Sequence, residues 1–232
     1  MLRGFIRNKQ SQDSESRLLM DRVENALSFS KVESSNLYVL CFSEQQDDLS
    51  QWRAYSGGEG GYAIRFFSVK LPSKGRLIRV EYDAAAQREF VRDVVDRSET
   101  LFLEGEGRKG GASLEEWAQE FAQLFLSELV PFMLCLKHDA FKSEKEWRLI
   151  YLCGADGFMR LQFRQRRSMM SRHLPIQFSE PLPGGLPISG ITVGPCRYPE
   201  LSKIAVSQLL DRHGFSYPVF RVELSKVPYR EV

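Results

Sequence analysis

The densest group of residues able to do chemistry lies between Lys137 and Arg148, in the segment Lys-His-Asp-Ala-Phe-Lys-Ser-Glu-Lys-Glu-Trp-Arg. In an extended strand alternate side chains point to the same face, so if the chain is already extended at Glu144, then Glu144, Glu146 and Arg148 share one face. A carboxylate there can stabilise positive charge that develops on a sugar carbon, while the arginine fixes its orientation. The same spacing fits a plain ion pair between Glu146 and Arg148 at a strand edge, so both interpretations remain open.

A second group combines a hydroxyl with two aromatic side chains. Ser43 ends an apolar run that begins at Leu37, and Trp52 and Tyr55 lie three residues apart in the next segment. Residues three apart share a face of a helix, and a hydroxyl beside such a pair can form a pocket for a flat ring. Core packing is the competing interpretation, because aromatic side chains at helical spacing are more often buried.

Strands and helices must position these residues, and apolar periodicity with capping signals predicts where they lie. Strands are predicted at 37–42, 61–67, 76–82, 146–152, 158–164, 188–193 and 217–224. Helices are predicted at 13–31, from Asp47 or Asp48 to Tyr55, at 84–103, from a capping box at Ser113 and Glu116 to a kink or end at Pro131, and at 199–213.

The predicted elements indicate an α+β fold, since strands outnumber helices and many are joined by short turns. We expect a single domain over residues 1–232, with a mixed, mostly antiparallel sheet and flanking helices, and with residues 1–36 as a helical lead-in. The run 37–42 is apolar on both faces, which predicts a central strand. The strands at 61–67 and 76–82 are predicted to pair as a meander.

The chain is nearly neutral overall but carries local basic clusters. Its 32 Lys and Arg against 30 Asp and Glu give a net charge of +2, which is far from the balance of a dedicated nucleic-acid binder. One cluster predicts an anion-binding surface, with a solvated face as the alternative. It consists of Arg160, Arg164, Arg166, Arg167 and Arg172, and a smaller cluster near the start consists of Arg3, Arg7 and Lys9.

Cysteine and histidine usage predicts no metal site. The four cysteines are widely separated and the chain has only three histidines. Thiols in a reducing cytoplasm are the resulting expectation. The most apolar stretch, 124–136, is interrupted by Glu128 and Pro131 and is too short for a membrane helix, so no membrane partner is expected.

Several short motifs, taken in order, resemble the bacterial domain-of-unknown-function family 2971. They are Cys41-Phe42-Ser43, Trp52-x-x-Tyr55, Gly61-x-x-Ile64-x-Phe66, Phe141-Lys142-x-Glu144-x-Glu146-Trp147-Arg148, Ile191-x-Val193-Gly194-Pro195 and Ser225-x-x-Pro228-Tyr229-Arg230. The resemblance extends over residues 37 to 230. Family members usually begin with a Tyr-His-Tyr-Thr-like strand and an Asn-Asp-Pro-x-Glu-like segment, which are absent before Ser43, so we expect a domain that lacks its first part.

The order of these motifs also resembles, distantly, the three-part signature of ADP-ribosyltransferases. That resemblance implies an ADP-ribosyltransferase-like core with NAD as substrate and a macromolecule as acceptor. It implies Glu146 as the catalytic carboxylate, Glu144 as the residue that orients the acceptor, and Ser43 as the hydroxyl that supports the ribose pocket. With Trp52, Tyr55 and Arg148 added as NAD-binding residues, this is the leading functional hypothesis.

The alternative hypothesis is a module without catalytic activity that binds a nucleotide, a nucleic acid or a protein. Its binding surface would combine the Arg160–Arg172 cluster with a pocket at Trp52 and Tyr55.

Overall fold

The computed structural model describes residues 13–27, 37–56, 60–67, 75–105, 111–153, 159–166, 168–176, 187–215 and 220–229. Within these ranges the elements in chain order are α1 (Ser14–Ala26), β1 (Leu37–Ser43), α2 (Leu49–Tyr55), β2 (Tyr62–Phe66), β3 (Arg76–Arg79), α3 (Ala84–Glu104), α4 (Leu114–Met133), a 3₁₀ helix (Asp139–Glu144), β4 (Glu146–Leu152), β5 (Gln162–Arg166), β6 (Met169–His173), β7 (Ile188–Val193), α5 (Pro199–Arg212) and β8 (Arg221–Leu224). The α+β class is confirmed.

The chain divides into two compact units, which are described separately. The first draws on Met1–Phe42 and Arg76–Phe158, and the second on Ser43–Gly75 and Met159–Val232. The expectation of one domain stays a prediction.

Three helices form the core of the first unit. α1 packs mainly against α4 and also against α3. Ala118 and Ala122 are fully buried and lie one turn apart on α4, so their small side chains permit close approach of the neighbouring helices. Leu19 and Val23 of α1 are buried in the same cluster.

Aromatic rings join α3 to α4 at one end of this core. The rings of Phe102 and Trp117 are stacked with centroids 6.1 Å apart, and Phe121 meets both edge-on. The Trp117 indole N–H donates to the carbonyl oxygen of Phe102 at 3.4 Å. The contacts add geometric specificity to the burial of apolar area.

The first unit also contains a three-stranded sheet in the order β1-β4-β3. β3 and β4 are antiparallel, with Arg76 opposite Ile150 and Arg79 opposite Trp147. The prediction of β1 as a central strand was wrong. β4 occupies the central place, and at the edge Val39 and Leu40 of β1 are both more than one-third exposed.

The second unit contains a sheet in the order β2-β7-β8, with β2 antiparallel and β8 parallel to β7. α5 covers it, and Val206 and Leu210 pack with Ile188 and Phe220 in one apolar cluster. The meander predicted from 61–67 and 76–82 was wrong, because β2 pairs with β7 whereas β3 pairs with β4.

β5 and β6 form a separate two-stranded antiparallel ribbon in the second unit. The strand predicted at 158–164 occupies 162–166 instead, and β6 was not predicted. All five residues of β5 are exposed, so the strand lacks the apolar alternation by which a half-buried strand is recognised.

The predicted helix signals agree closely with the structure. Ser113 and Glu116 form the capping box, in which each side chain accepts a hydrogen bond from the other residue's backbone N–H. Asp48 caps α2 through hydrogen bonds from the N–H groups of Ser50 and Gln51. Pro131 lies inside α4, which continues to Met133.

The buried face of α4 gives a stability prediction with a matched control. Leu129 is 3% exposed and Leu124 is 63% exposed on the same helix. Leu129→Ala should lower the free energy of unfolding by about 2–5 kcal/mol, because it removes buried methyl groups and leaves a cavity. Leu124→Ala should change it by roughly 0.5 kcal/mol or less. Urea denaturation of both variants measures the difference, and equal losses would contradict this packing.

Candidate functional site

Four charged side chains of the first unit form one connected cluster, here called the charged quartet: Lys137, Glu144, Glu146 and Arg148. The Lys137 Nζ atom lies 2.6 Å from Glu144 Oε2 and 2.8 Å from Glu146 Oε2. The structure therefore brings together both predicted catalytic carboxylates and the predicted arginine, and it adds a lysine that sequence reasoning did not assign.

The two carboxylates converge by a different route from the one predicted. Glu144 ends the 3₁₀ helix and is not in the strand, which begins at Glu146. Lys145 between them has φ 43° and ψ 53°, the single positive φ among the described non-glycine residues. This left-handed conformation ends the 3₁₀ helix and costs about 1–2 kcal/mol for a side chain other than glycine. The expected extended Glu144 was therefore wrong, although the convergence was right.

Glu146 has hydrogen-bond donors on both carboxylate oxygens. Arg148 donates through Nε to Oε1 at 2.8 Å and through its second terminal nitrogen to Oε2 at 3.1 Å, a forked pair. Lys137 donates to Oε2, and the Cys41 thiol on β1 also hydrogen-bonds the carboxylate. The Glu146 side chain is 7% exposed, against about one-fifth for its two cationic partners.

Neighbouring elements position the quartet through the backbone. The Tyr82 hydroxyl accepts a hydrogen bond from the Glu146 N–H at 2.9 Å. Buried Gln87 of α3 donates from its amide nitrogen to the carbonyl oxygens of Glu81 and Lys137, both at 2.7 Å. Sequence reasoning missed Gln87. The signal that could have found it is that this polar residue lies on the helix face whose other positions are mostly apolar.

Arg148 also connects β4 to the end of α4. Its guanidinium donates to the carbonyl oxygen of Leu134, the residue that caps the helix. The last carbonyls of a helix lack partners within the helix and carry partial negative charge, so a cation there is favourable. The quartet thus links the end of α4, the 3₁₀ helix and β4.

The electrostatics keep Glu146 ionised and the nearby thiols protonated. Burial by itself would raise the pKa of Glu146, but hydrogen bonds from Arg148, Cys41 and Lys137 lower it to about 2. Burial, with a further contribution from Glu146, raises the pKa of Cys41 to about 11. Burial likewise raises the pKa of Cys135 to about 11. At neutral pH neither thiol is a thiolate nucleophile.

The quartet can do limited chemistry as it stands. Its two carboxylates and two cations balance in charge, and any ligand of Glu146 must displace one of the donors already present. A crevice of about 210 Å³ lies beside the chain that leads into Lys137, lined by Phe90, Phe132, Cys135 and other residues. Pockets for drug-sized ligands usually have about 300–1,000 Å³, so this crevice is small for a dinucleotide.

The three other predicted NAD-binding residues belong to the second unit. The Ser43 hydroxyl accepts hydrogen bonds from the Gln45 N–H and the Gln51 side chain, at 2.9 and 2.8 Å. Trp52 is 9% exposed and its indole N–H donates to Asp47 at 2.7 Å. Tyr55 is 77% exposed. Trp52 is therefore a core residue, whereas a ligand role for Ser43 or Tyr55 stays a prediction.

Asp47 and Gly194 explain why several motif residues of the second unit lie together. Asp47 accepts hydrogen bonds from the Ser225 hydroxyl at 2.5 Å and the Lys226 N–H at 2.6 Å. Burial opposes ionisation, but the hydrogen bonds from Ser225, Trp52 and Lys226 outweigh it and lower the Asp47 pKa. A Cβ atom at Gly194 would lie 2.9 Å from the Trp52 ring, so only glycine fits there.

Three of the five predicted anion-binding arginines, Arg164, Arg166 and Arg172, lie on the β5–β6 ribbon, here called the arginine ribbon. Opposed residues of an antiparallel pair share a face. Arg164 is opposite Ser171 and Arg166 is opposite Met169, so both arginines lie on one face, while Arg172 lies on the other, opposite Phe163. Arg160 donates to the carbonyl oxygen of Pro175 at 3.2 Å. Arg167, Arg230 and the cluster Arg3, Arg7 and Lys9 lie outside the described residues.

The guanidinium groups of the arginine ribbon have few local partners. The structure shows no hydrogen bond or ion pair within the described residues for the side chains of Arg164, Arg166 and Arg172, and all three residues are exposed. By contrast, Arg65 of β2 is paired with Glu223 at 2.9 Å. In the part of the chain that the structure describes, the positive charge of these three arginines therefore has no ion-pair partner.

Metal-binding clusters and membrane-spanning helices are both absent from the described part of the chain. It contains no group of three or more His, Cys, Asp and Glu side chains arranged to hold a metal ion. Among the helices that the structure describes, none has the length and apolar character needed to cross a membrane.

Part of the chain matches a known family. Residues 51–149 match the model of DUF2971, a family described as proteins of unknown function. The match covers less than half of the chain, includes the whole charged quartet and ends before the arginine ribbon. No curated protein and no solved structure matches the chain. The match supports the predicted family resemblance, whereas the likeness to ADP-ribosyltransferases and the missing N-terminal motifs stay predictions.

The lowered pKa of Glu146 predicts a specific acid dependence of stability. Because the folded-state pKa lies below the unfolded value of 4.5, the stabilisation is complete above pH 4.5 and is lost as the pH falls towards 2. Glu146→Gln should lower the free energy of unfolding at pH 7 by roughly 1.5–3 kcal/mol and flatten its fall below pH 5. Urea denaturation across this pH range measures both effects.

The control is Glu128→Gln, which disrupts the exposed ion pair with Arg76, 2.7 Å long. Exposed pairs contribute about 0–1 kcal/mol, so this variant should remain close to wild type in stability. An unchanged acid dependence in Glu146→Gln would show that Glu146 is not the titrating group.

Proposed function

We propose that the chain is a binding module for a polyanionic partner and that the arginine ribbon is its binding surface. The observation that carries the proposal is the exposed ribbon with arginines on both faces, whose side chains form no ion pair within the described residues. In the sequence, no Asp or Glu occurs between Asp156 and Glu180. This is the alternative hypothesis from the sequence, with the pocket at Trp52 left out because that ring is buried.

The distribution of charge supports this choice. The whole chain has a net charge of +2, and residues 157–179 alone contribute five arginines, so the remainder carries a net charge of −3. A polyanion is therefore attracted more strongly to this segment than to the rest of the chain taken as a whole. Arginine also suits phosphate and sulfate groups, since its planar guanidinium can donate two parallel hydrogen bonds.

Heparin, a sulfated polyanion, provides the first test. Arg164→Ala/Arg166→Ala should elute from a heparin column at clearly lower salt than wild type, because about two ionic contacts are lost. The matched control is Arg88→Ala/Arg92→Ala, which removes two exposed arginines from α3. It should elute close to wild type. Equal elution of the two variants would contradict the proposal, because retention would then depend on net charge alone.

An NAD-dependent ADP-ribosyl transfer at the charged quartet is the second candidate. It is favoured by a carboxylate that stays ionised at all physiological pH values, with a second carboxylate beside it. An ionised carboxylate can stabilise an oxocarbenium-like transition state electrostatically. In this mechanism the Lys137 ammonium group moves away from Glu146, which is feasible because the lysine side chain is flexible and one-fifth exposed. The positive charge of the nicotinamide ribose then takes the place of the lysine charge next to Glu146.

Calorimetric titration with NAD tests the second candidate. If it is correct, NAD binds saturably, and Glu146→Gln reduces NAD hydrolysis by about a hundredfold or more. Glu144→Gln should retain hydrolysis and lose transfer to an acceptor. A thermal melt of each variant separates loss of activity from loss of fold. No heat of binding, or wild-type turnover in a folded Glu146→Gln variant, would exclude this activity.

A further inference from the structure

The two faces of the arginine ribbon limit the shape of the partner. Arg164 and Arg166 lie on one face and Arg172 on the other, as the register of β5 and β6 fixes. A flat partner, such as an anionic membrane surface, can contact only one face of a ribbon at a time. A partner with two walls, such as a groove, can contact both faces at once. The distribution of the arginines therefore favours a groove.

The dimensions agree with the groove of a DNA duplex. The major groove of B-form DNA is about 12 Å wide and admits a two-stranded β-ribbon. Arg164 and Arg166 are two residues apart on β5, which corresponds to roughly 6.8 Å along a strand. Two base steps of the duplex rise about 6.8 Å along its axis, so the spacing of the two guanidinium groups is of the same order as the spacing of phosphates along one strand.

The residue types on the ribbon also suit DNA. Its cations are all arginine, with no lysine between Asp156 and Glu180. Arginine contacts phosphates with a forked geometry and reads guanine through O6 and N7 in the major groove. Three apolar side chains of the ribbon are each at least 60% exposed: Phe163, Met169 and Met170. Contact of apolar side chains with water is unfavourable. In a groove such side chains can contact base edges, including thymine methyl groups.

Resting on the proposed function, we propose that the arginine ribbon inserts into the major groove of double-stranded DNA. Arg164 and Arg166 contact one wall of the groove and Arg172 contacts the opposite wall. RNA duplexes are poorer partners, because the major groove of A-form RNA is too deep and narrow for the ribbon. Acidic proteins and membranes lack two walls of phosphates at this spacing.

Fluorescence anisotropy with the full chain and a labelled two-turn DNA duplex, in a series of salt concentrations, tests the proposal. Arg164→Ala/Arg166→Ala should lower the salt slope of log affinity by about 1.8, and Arg172→Ala by about 0.9. Each lost guanidinium should weaken binding on the order of tenfold. Arg88→Ala/Arg92→Ala, on α3, should bind as wild type. Binding should also protect guanine N7 from methylation by dimethyl sulfate, which reports the major groove.

Several outcomes would overturn the proposal. Wild-type DNA binding by Arg172→Ala would show that only one face of the ribbon is used, which excludes insertion. Equal or tighter binding to single-stranded DNA, duplex RNA, polyglutamate or phosphatidylserine vesicles would assign the ribbon to another partner. If heparin retention depends on the ribbon but the duplex does not bind, the DNA inference fails and the proposed polyanion binding stands. If neither heparin nor DNA binding depends on the ribbon, both fail.

Discussion

The arrangement of the first unit depends on the Glu146 carboxylate, which stays ionised although its side chain is mostly buried. Removing a charge from water is costly, and Glu146 remains ionised because Arg148 and Lys137 donate directly to its oxygens. These partners come from different segments, and Arg148 also binds the end of α4. These hydrogen bonds to the ionised carboxylate therefore hold β4, the 3₁₀ helix and the end of α4 in one arrangement. Removing any member would leave a charge with too few partners.

The charged quartet and the arginine ribbon illustrate two opposite uses of charge. In the quartet two carboxylates balance two cations, and the buried geometry is satisfied without a ligand. On the ribbon the exposed guanidinium groups have no acidic neighbours in the sequence for several residues on either side. Uncompensated charge that remains in water is available to a partner, whereas compensated charge in the interior mainly stabilises the fold. This contrast is the physical basis for placing the binding function on the ribbon.

The motif residues of the second unit illustrate how a packing requirement can resemble a ligand site. The position of Trp52 in the sequence predicted an aromatic ligand pocket. In the structure its ring is buried and its indole N–H donates to Asp47. Gly194 lies against the ring where no side chain fits. Ser225 donates to the same aspartate from near the other end of the chain. Their common role is to hold one tryptophan in the core.

The sequence by itself determined the features that depend on near neighbours. The helix 84–104, the capping box at Ser113 and the strand from Glu146 follow from local periodicity and from side chains a few residues away. Tertiary structure decided the rest. It placed β1 at an edge, brought Lys137 into the charged quartet, and bonded Gln87 to the Lys137 carbonyl oxygen. It also joined Asp47 to Ser225 across 178 residues. Strand order and buried ion pairing depend on contacts between segments that are distant in the sequence. A local sequence pattern contains no information about those contacts.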